Sequence, residues 1–185
     1  MNYATIKYND ISNGPGIRTS LFVSGCTHHC KGCFNSIAWD FDYGEVYTRQ
    51  IEDEIIASLS QSHVKGITLL GGEPFEPQNQ GPLVELTDRI RRELPNKDIW
   101  CFSGYTIEEM ISGKLSGYDT TMRLLKNIDV LVDGKFVEEL KSSALLFRGS
   151  SNQNIINVHK SLEQNKMVIL DGNWERKTGN INICI

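Results

Sequence analysis

The amino-acid sequence predicts an α/β fold in which a parallel sheet is built from βαβ units. Four short apolar stretches predict strands at 17–23, 66–70, 98–102 and 129–132, and segments with helical spacing alternate with them. This alternation calls for parallel strands joined by right-handed crossovers. Chemically distinctive motifs follow the ends of these strands, which is where barrels of parallel strands place their active sites.

Length and composition predict one globular domain in a reducing compartment. The chain has 185 residues, 39% of them hydrophobic, so it can bury a single core. A net charge of −4 argues against a general nucleic-acid binder, which needs clustered lysine and arginine. No run approaches the roughly 18 apolar residues of a membrane span, and the first residues lack a signal-peptide pattern, so we expect neither a span nor export. Five cysteines, an odd number, fit a cytoplasmic metal site better than a disulfide framework.

The first part of the chain leads to a loop rich in cysteine. Residues 3–10 are predicted as an extended edge segment, and Asn13-Gly14-Pro15-Gly16 predicts a turn before the first strand of the parallel set. The loop after that strand carries Cys26, Cys30 and Cys33 in a Cys-x3-Cys-x2-Cys pattern. A cubane iron-sulfur cluster normally takes four thiolates, so three would leave one iron open to a small molecule.

The same loop also fits a structural zinc site. With His28 or His29, the three cysteines would form a closed Cys3His site, which zinc accepts. Zinc ligands usually come as two pairs separated by about a dozen residues, whereas these candidates lie within eight consecutive residues. The loop alone leaves both kinds of metal centre open.

An aromatic-rich connection and a helix follow the cysteine loop. Ser36 to Tyr47 predicts an irregular segment whose aromatic side chains either pack in the ordinary way or shield the metal centre from water. Thr48 is a candidate N-cap for an amphipathic helix that covers the sheet. The apolar side of this helix consists of Ile51, Ile55, Ile56 and Leu59.

The second strand of the parallel set runs directly into Gly71-Gly72-Glu73-Pro74. Two glycines allow the backbone to come close to a ligand because they carry no Cβ atom. On its own this sequence predicts only a turn. At the end of the strand that follows a three-cysteine loop, it becomes a candidate ligand-binding segment.

The next helix is predicted over 82–94, with Pro82 in its first turn. Arg89, Arg91 and Arg92 lie on this helix. They form either a solvated face or, alternatively, a docking site for an acidic electron donor.

The third and fourth strands of the parallel set are joined by helical segments. Thr106 and Glu109 have the spacing of a capping box, and a further helix is predicted over 120–126. Cys101 lies within the apolar third strand, so we expect a buried hydrophobic residue there and not a metal ligand.

These motifs resemble the radical S-adenosylmethionine (SAM) superfamily. The Cys-x3-Cys-x2-Cys loop and the Gly-Gly-Glu-Pro segment carry this resemblance. Further segments are similar to the activating proteins of anaerobic ribonucleoside-triphosphate reductase, a family of glycyl radical enzyme activases. They are Asn13-Gly14-Pro15-Gly16-Ile17-Arg18, Asp133-Gly134-Lys135-Phe136 and Phe147-Arg148-Gly149-Ser150-Ser151-Asn152-Gln153. The resemblance covers residues 1–157 in order and implies a partial, laterally open (β/α) barrel, because a full eight-fold barrel needs about 250 residues.

The resemblance also implies a chemistry carried by cofactors. Cys26, Cys30 and Cys33 would hold one [4Fe-4S] cluster, whose open iron binds SAM. Reductive cleavage of SAM would give a 5'-deoxyadenosyl radical, which abstracts a glycine Cα hydrogen from the large subunit of the anaerobic reductase. Only Cys101 and Cys184 remain for a second cluster, so the electron would come from an external donor such as a flavodoxin.

Individual SAM contacts follow from the resemblance alone. It places Gly32, Cys33 and Phe34 beside the SAM adenine or backbone, and Gly71, Gly72 and Glu73 beside the SAM amino group. It gives no general acid or base, because the radical belongs to the cofactor.

Three more residues match the family motifs without a fixed role. Asp133 and Lys135 would meet SAM or a bound cation, or else form a surface turn with a salt bridge. Arg148 would meet the SAM carboxylate or the partner protein, or else form a structural ion pair.

The segment 158–185 departs from the family pattern. Residues 167–170 predict a strand, 171–173 a turn and 180–185 a second strand, so we expect an added hairpin in which Cys184 has no role. Three functional alternatives stay open: activation of another glycyl radical enzyme such as pyruvate formate-lyase, a small radical SAM enzyme for a nucleotide precursor, and a zinc-stabilised binding module without catalysis.

Overall fold

The computed structural model describes residues 1–172, which form one mixed α/β sheet with helices packed against it. The strands of this part are β1 (Asn2–Asp10), β2 (Ile17–Val23), β3 (Glu45–Val46), β4 (Val64–Gly71), β5 (Asp98–Phe102), β6 (Val130–Asp133) and β7 (Asn154–Asn157). The α-helices are α1 (Arg49–Leu59), α2 (Pro77–Glu93), α3 (Ile107–Ile111), α4 (Tyr118–Asn127) and α5 (Val158–Gln164). Two short 3-10 helices cover Ser36–Trp39 and Glu138–Leu140.

The sheet has the strand order β3-β1-β2-β4-β5-β6-β7 and is not closed. Its four central strands, β2, β4, β5 and β6, are parallel, so the predicted βαβ arrangement is confirmed. The outer strands β1, β3 and β7 pair antiparallel with their neighbours. The predicted extended segment near the N-terminus is β1, whereas β7 was not predicted.

Apolar residues on one face of the sheet form the main core. Leu21, Leu69 and Leu131 alternate with residues of the other face, and all three are fully buried. They belong to one cluster with Ile55 of α1 and Leu86 of α2. The larger helices therefore pack on this face.

The other face of the sheet carries a smaller apolar cluster formed by Trp100, Val130, Val132 and Ile155. Phe102 and Phe147 pack against this cluster and also line a cavity of about 390 Å³. The cavity therefore lies on the side of the sheet away from the main core.

Helix capping follows the sequence at two of the predicted sites. The Thr48 side chain accepts a hydrogen bond from the Ile51 N–H at 3.4 Å, at the start of α1. Thr106 and Glu109 form a reciprocal capping box at the start of α3. Such caps typically contribute about 1 kcal/mol to stability.

The prediction that a helix begins at Pro82 was wrong, because α2 begins at Pro77 and contains Pro82 in its interior. Buried side chains anchor the additional turn. The Asn79 amide donates to the carbonyls of Ser24 and Glu73, each at 2.9 Å. These tertiary hydrogen bonds outweigh the unfavourable interior proline.

The described part of the C-terminal segment begins with helix α5, which was not predicted. Residues 167–170 form one isolated bridge in place of the predicted strand: Ile169 pairs with Ile156, and the Leu170 N–H donates to the Ile155 carbonyl at 2.8 Å. The predicted hairpin as a whole stays a prediction. The second predicted strand and Cys184 lie outside the described residues. No helix within residues 1–172 is long and apolar enough to cross a membrane.

Candidate functional site

A cavity of about 390 Å³ lies at the carboxyl ends of the parallel strands. Its walls include six residues singled out by the sequence: Cys26, Cys30, Cys33, Gly71, Gly72 and Glu73. Gly32, Phe34 and Arg148 also line it. Its volume falls within the range of roughly 300 to 1,000 Å³ that is typical of small-molecule sites. The fold therefore brings both predicted motifs to one cavity.

The cysteine loop rests on the aromatic-rich segment. The Gly25 and Cys26 N–H groups donate to the carbonyls of Ala38 and Trp39, at 2.9 and 3.2 Å. Gly25 has a φ of +92°, and a Cβ atom there would lie 2.1 Å from the Phe41 ring. Phe41 therefore packs beneath the loop and makes glycine necessary at position 25.

The three cysteines differ in exposure. Cys26 is buried, whereas Cys30 and Cys33 are partly exposed. Burial raises the pKa of the Cys26 thiol to about 11, although the backbone N–H groups of His28 and His29 act in the opposite direction. Because metals bind the thiolate, metal binding here releases the Cys26 proton.

The donor set fits a cubane cluster. Three thiols on one cavity can each bind a different iron of a cubane, so they need not converge on a single point. Within residues 1–172, no three or more His, Cys, Asp or Glu side chains are arranged around one metal-ion position. The His28 imidazole instead hydrogen-bonds Glu73, and the His29 ring stacks on Trp39 with the ring centres 4.6 Å apart.

Gly71 and Gly72 allow the end of β4 to approach the end of β2 and the start of the cysteine loop. Gly71 has a φ of +114°, and a Cβ atom there would lie 2.6 Å from the Val23 backbone nitrogen and oxygen. A Cβ atom at Gly72 would lie 2.4 Å from the Gly25 carbonyl oxygen. Contact between protein segments is therefore enough to require both glycines, whether or not a ligand also approaches them.

Glu73 connects three loops through its buried carboxylate, which is only 1% exposed. Oε1 accepts hydrogen bonds from the Phe75 N–H and the Ser103 hydroxyl, both at 2.9 Å. Oε2 accepts from the Gly104 N–H at 2.7 Å and pairs with His28 Nε2 at 3.0 Å. Both oxygens are thus fully occupied by protein donors. The predicted contact between Glu73 and the SAM amino group stays a prediction.

Glu76 makes a second connection from the same segment. Its Oε1 accepts from the Thr27 N–H at 2.7 Å and from the Thr27 hydroxyl at 2.6 Å. Glu76 is 4% exposed and is the N-cap residue of α2. Sequence reasoning did not identify Glu76, Thr27 or Ser103; the one signal was a second acid in an otherwise apolar Glu-Pro-Phe-Glu-Pro sequence.

The predicted turn before β2 forms another part of the cavity wall, through Ser12 and Asn13. The fully buried Arg18 supports it, because Arg18 Nε donates to the Thr68 hydroxyl at 2.8 Å and that hydroxyl donates to the Asn13 carbonyl at 2.7 Å. Arg18 also forms a 2.5 Å ion pair with Asp98. The turn is thereby fixed to the sheet.

Comparison with known proteins assigns the family. Residues 12–156 match the model of a family described as a 4Fe-4S single cluster domain. A protein of Escherichia coli K12 is 46% identical over 155 residues, which is 83% of this chain and 96% of the relative. A Salmonella typhimurium protein is 47% identical over the same shares, and an Enterobacteria phage T4 protein is 38% identical over 84% of this chain and 93% of the relative. All three carry the name anaerobic ribonucleoside-triphosphate reductase-activating protein.

The chain belongs to this family of activating proteins. The resemblance inferred from the sequence motifs is therefore confirmed, and the chain contains a 4Fe-4S single cluster domain. The zinc-stabilised binding module loses its support, since the cysteine loop lies within the matched domain.

Asp133 and Lys135 belong to a predicted motif and lie on either side of Gly134. Of these three residues, only Gly134 lines the cavity. The Asp133 carboxylate is fully buried and accepts hydrogen bonds from the Ile107 N–H at 2.9 Å and the Asn154 amide at 3.0 Å. Burial raises the pKa of Asp133. The Lys135 side chain is exposed. Their predicted contacts with SAM or a cation stay predictions.

Arg148 lines the cavity and has a buried donor without a hydrogen-bond partner. One terminal nitrogen of its guanidinium donates to the Gln153 carbonyl at 3.1 Å, while its buried Nε has no hydrogen-bond partner. Within residues 1–172 no carboxylate pairs with Arg148, so the structural ion pair considered from the sequence is not formed there. A free buried guanidinium donor favours an anionic ligand in the cavity.

The arginine cluster on α2 is engaged within the protein. Arg89 pairs with Glu52, Asp53 and Glu93, and Arg91 pairs with Asp129 at 2.8 Å. Arg92 is more exposed and pairs with Glu93 at 3.0 Å. These contacts favour the interpretation of a structural and solvated face over a docking site for an electron donor.

Proposed function

We propose that this protein is a radical SAM activase that generates the glycyl radical of anaerobic ribonucleoside-triphosphate reductase. The observation that carries the proposal is the convergence of the three-cysteine loop and the Gly-Gly-Glu segment on one cavity, in a member of the activating-protein family. The names of the relatives favour this reductase over pyruvate formate-lyase or another glycyl radical enzyme.

The cysteines hold the cluster in this proposal. Cys26, Cys30 and Cys33, which line the cavity, would each bind one iron as a thiolate, and the fourth iron would be left for SAM. Bound together, the cluster and SAM supply reductive cleavage of SAM and removal of a glycine Cα hydrogen from the reductase. The protein's own tasks are to deprotonate and position the thiols, to orient SAM and to exclude water.

SAM would bind in the cavity beside the cysteine loop. Gly32, Cys33 and Phe34 would hold its adenine or backbone, and the backbone of Gly71 and Gly72 would hold its amino group. The unpaired Nε of Arg148 suits the SAM carboxylate, because an anion satisfies this buried donor.

The open side of the sheet admits the partner. Four parallel strands with the main core on one face and the cavity at their carboxyl ends support a partial, laterally open barrel of the radical SAM type. Phe34 lines the cavity and is 85% exposed, so it is available to a protein loop that reaches the cavity.

Residues 1–157 form the radical SAM core and 158–185 an extension to it. We place the protein in the cytoplasm, with a flavodoxin-type donor supplying the electron.

Anaerobic reconstitution tests the cofactor part of this proposal. The expected result is about four irons and four sulfides per chain. Reduction with dithionite should give the electron paramagnetic resonance (EPR) signal of a reduced cubane, and addition of SAM should shift that signal. Bound zinc without sulfide, or a cluster signal that ignores SAM, would contradict the proposal.

A further inference from the structure

The two residues that follow Cys26 are each held by a buried carboxylate of the segment after β4. Thr27 is held by Glu76 through two hydrogen bonds, at 2.6 and 2.7 Å. His28 is held by Glu73 at 3.0 Å. The linked residues are 49 and 45 positions apart in the sequence. The cysteine loop is therefore fixed to the distant segment that follows β4.

The place of His28 is closely defined. Its side chain is 5% exposed, and its ring packs edge-on against Tyr105 with the ring centres 4.3 Å apart. A Cβ atom at Gly104 would lie 2.3 Å from the His28 ring, so glycine there leaves room for the imidazole. A carboxylate only accepts hydrogen bonds, so His28 Nε2 carries the proton of the bond to Glu73.

Fixing Thr27 and His28 also directs the backbone toward the first cysteine. The backbone N–H groups of His28 and His29 act on the Cys26 thiol and lower its pKa, against the effect of burial. Reduction makes a cluster and its thiolates more negative, so hydrogen bonds to a ligand sulfur stabilise the reduced form and raise the reduction potential. The orientation of these two amides is therefore coupled to the carboxylates that hold the loop.

We propose that Glu73 and Glu76 are positioning residues that set the reduction potential of the cluster by holding His28 and Thr27. The inference rests on the proposed function, because it requires a cluster on Cys26. Four protein donors already occupy the Glu73 carboxylate, so Glu73 acts through His28.

The test is the midpoint potential of the reconstituted protein, measured by EPR-monitored redox titration without SAM. His28→Phe retains an aromatic ring but loses the donor to Glu73, and we expect a more negative potential. His28→Gln retains a donor at a similar distance, and we expect the wild-type value to be largely restored. Thr27→Val removes one of the two bonds to Glu76, so its shift should have the same sign and be smaller.

His159→Phe is the matched control. His159 Nε2 pairs with the Asp129 carboxylate at 3.0 Å, which is the same contact at the same distance. Asp129 immediately precedes β6, at the opposite end of the sheet from the cavity. This variant should leave the potential unchanged.

The outcomes separate this inference from the proposed function. A wild type that takes up no cluster would overturn both. A wild type with a SAM-responsive cluster, combined with unchanged potentials in His28→Phe and Thr27→Val, would overturn the inference alone. If the His28→Phe variant takes up no cluster, the midpoint potential of Thr27→Val alone decides whether the inference holds. A shift of equal size in His159→Phe would also overturn the inference, because it would show a general effect of losing a His–carboxylate contact.

Discussion

Gly72 lies directly against the carbonyl oxygen of Gly25, which a Cβ atom at position 72 would approach to 2.4 Å. The neighbouring Glu73 N–H donates to the same oxygen at 2.8 Å. Two backbone segments, the end of β4 and the start of the cysteine loop, are therefore in contact at this point. The cavity wall depends on this contact because both segments line it.

Gly72→Ala is predicted to displace the cysteine loop. The added methyl group meets backbone that cannot rotate away, so the free energy of unfolding should fall by about 1 to 3 kcal/mol. Iron content after reconstitution should fall with it. Gly81→Ala is the control, since no heavy atom lies within 4 Å of a Cβ atom there and Gly81 is within α2. It should be neutral or stabilising by roughly 0.5 to 1 kcal/mol, and urea denaturation checks both values. Equal effects of the two substitutions would contradict the account.

Cys30→Ser is predicted to abolish the cubane. It removes a partly exposed thiol at the cavity, and serine does not replace a thiolate on iron. The iron and sulfide contents should therefore each fall well below four per chain, which is the content of one cubane. Cys101→Ala should retain the full iron content, because Cys101 is completely buried in β5. Loss of iron in Cys101→Ala but not in Cys30→Ser would exclude the assigned ligands.

Arg18→Met is predicted to be strongly destabilising. Arg18 is fully buried and pairs with Asp98, so the substitution removes the donor to the Thr68 hydroxyl and leaves Asp98 with only the more distant Lys65, at 3.7 Å. Breaking a buried ion pair typically costs about 3 to 5 kcal/mol, and the partial exposure of Asp98 places the expected cost near the lower end. Arg92→Met, on the exposed side of α2, should change the free energy of unfolding by less than about 0.5 kcal/mol. Similar urea midpoints for the two variants would refute the structural role of Arg18.

The raised pKa of Tyr3 predicts a change in the stability of the protein at alkaline pH. Burial, with a hydrogen bond from its hydroxyl to Glu45 at 2.8 Å, raises the pKa of Tyr3 to about 12 from an ordinary value of 10. The unfolded chain therefore loses this proton first as the pH rises. The stabilising contribution is complete below pH 10 and is lost as the pH approaches 12.

Comparison with Tyr3→Phe isolates this contribution. The variant keeps the ring but has no proton to lose, so its stability should fall less steeply across the same pH range. Urea denaturation of the two proteins at several pH values measures the difference. Parallel pH profiles would show that Tyr3 does not titrate in this way.

Much of the fold could be predicted because local patterns determine it. The apolar runs of β2, β4, β5 and β6 each end in a turn signal, and their alternation with helices implied the parallel pairing. β7 was missed because it contains only two consecutive apolar residues, and its pairing with β6 is a tertiary contact. Pro82 misled the prediction of α2 because the turn before it is stabilised by distant hydrogen bonds.

The site was predicted where its residues are adjacent in sequence. Three cysteines within eight residues and a pair of glycines after a strand are local patterns. The links from Glu73 to His28 and Ser103 join residues 45 and 30 positions apart, and no local pattern encodes them. The unpaired Nε of Arg148 likewise becomes visible only when the packing around it is known.

The most direct test of the central claim is radical formation on the partner. The reconstituted protein, SAM and a low-potential reductant are mixed anaerobically with the large subunit of anaerobic ribonucleoside-triphosphate reductase, and in parallel with pyruvate formate-lyase. EPR should show a glycyl radical on the reductase, together with 5'-deoxyadenosine and methionine, and no radical when Cys30→Ser replaces the wild type. A radical on pyruvate formate-lyase alone, or SAM cleavage that never yields a glycyl radical on the reductase, would contradict the account.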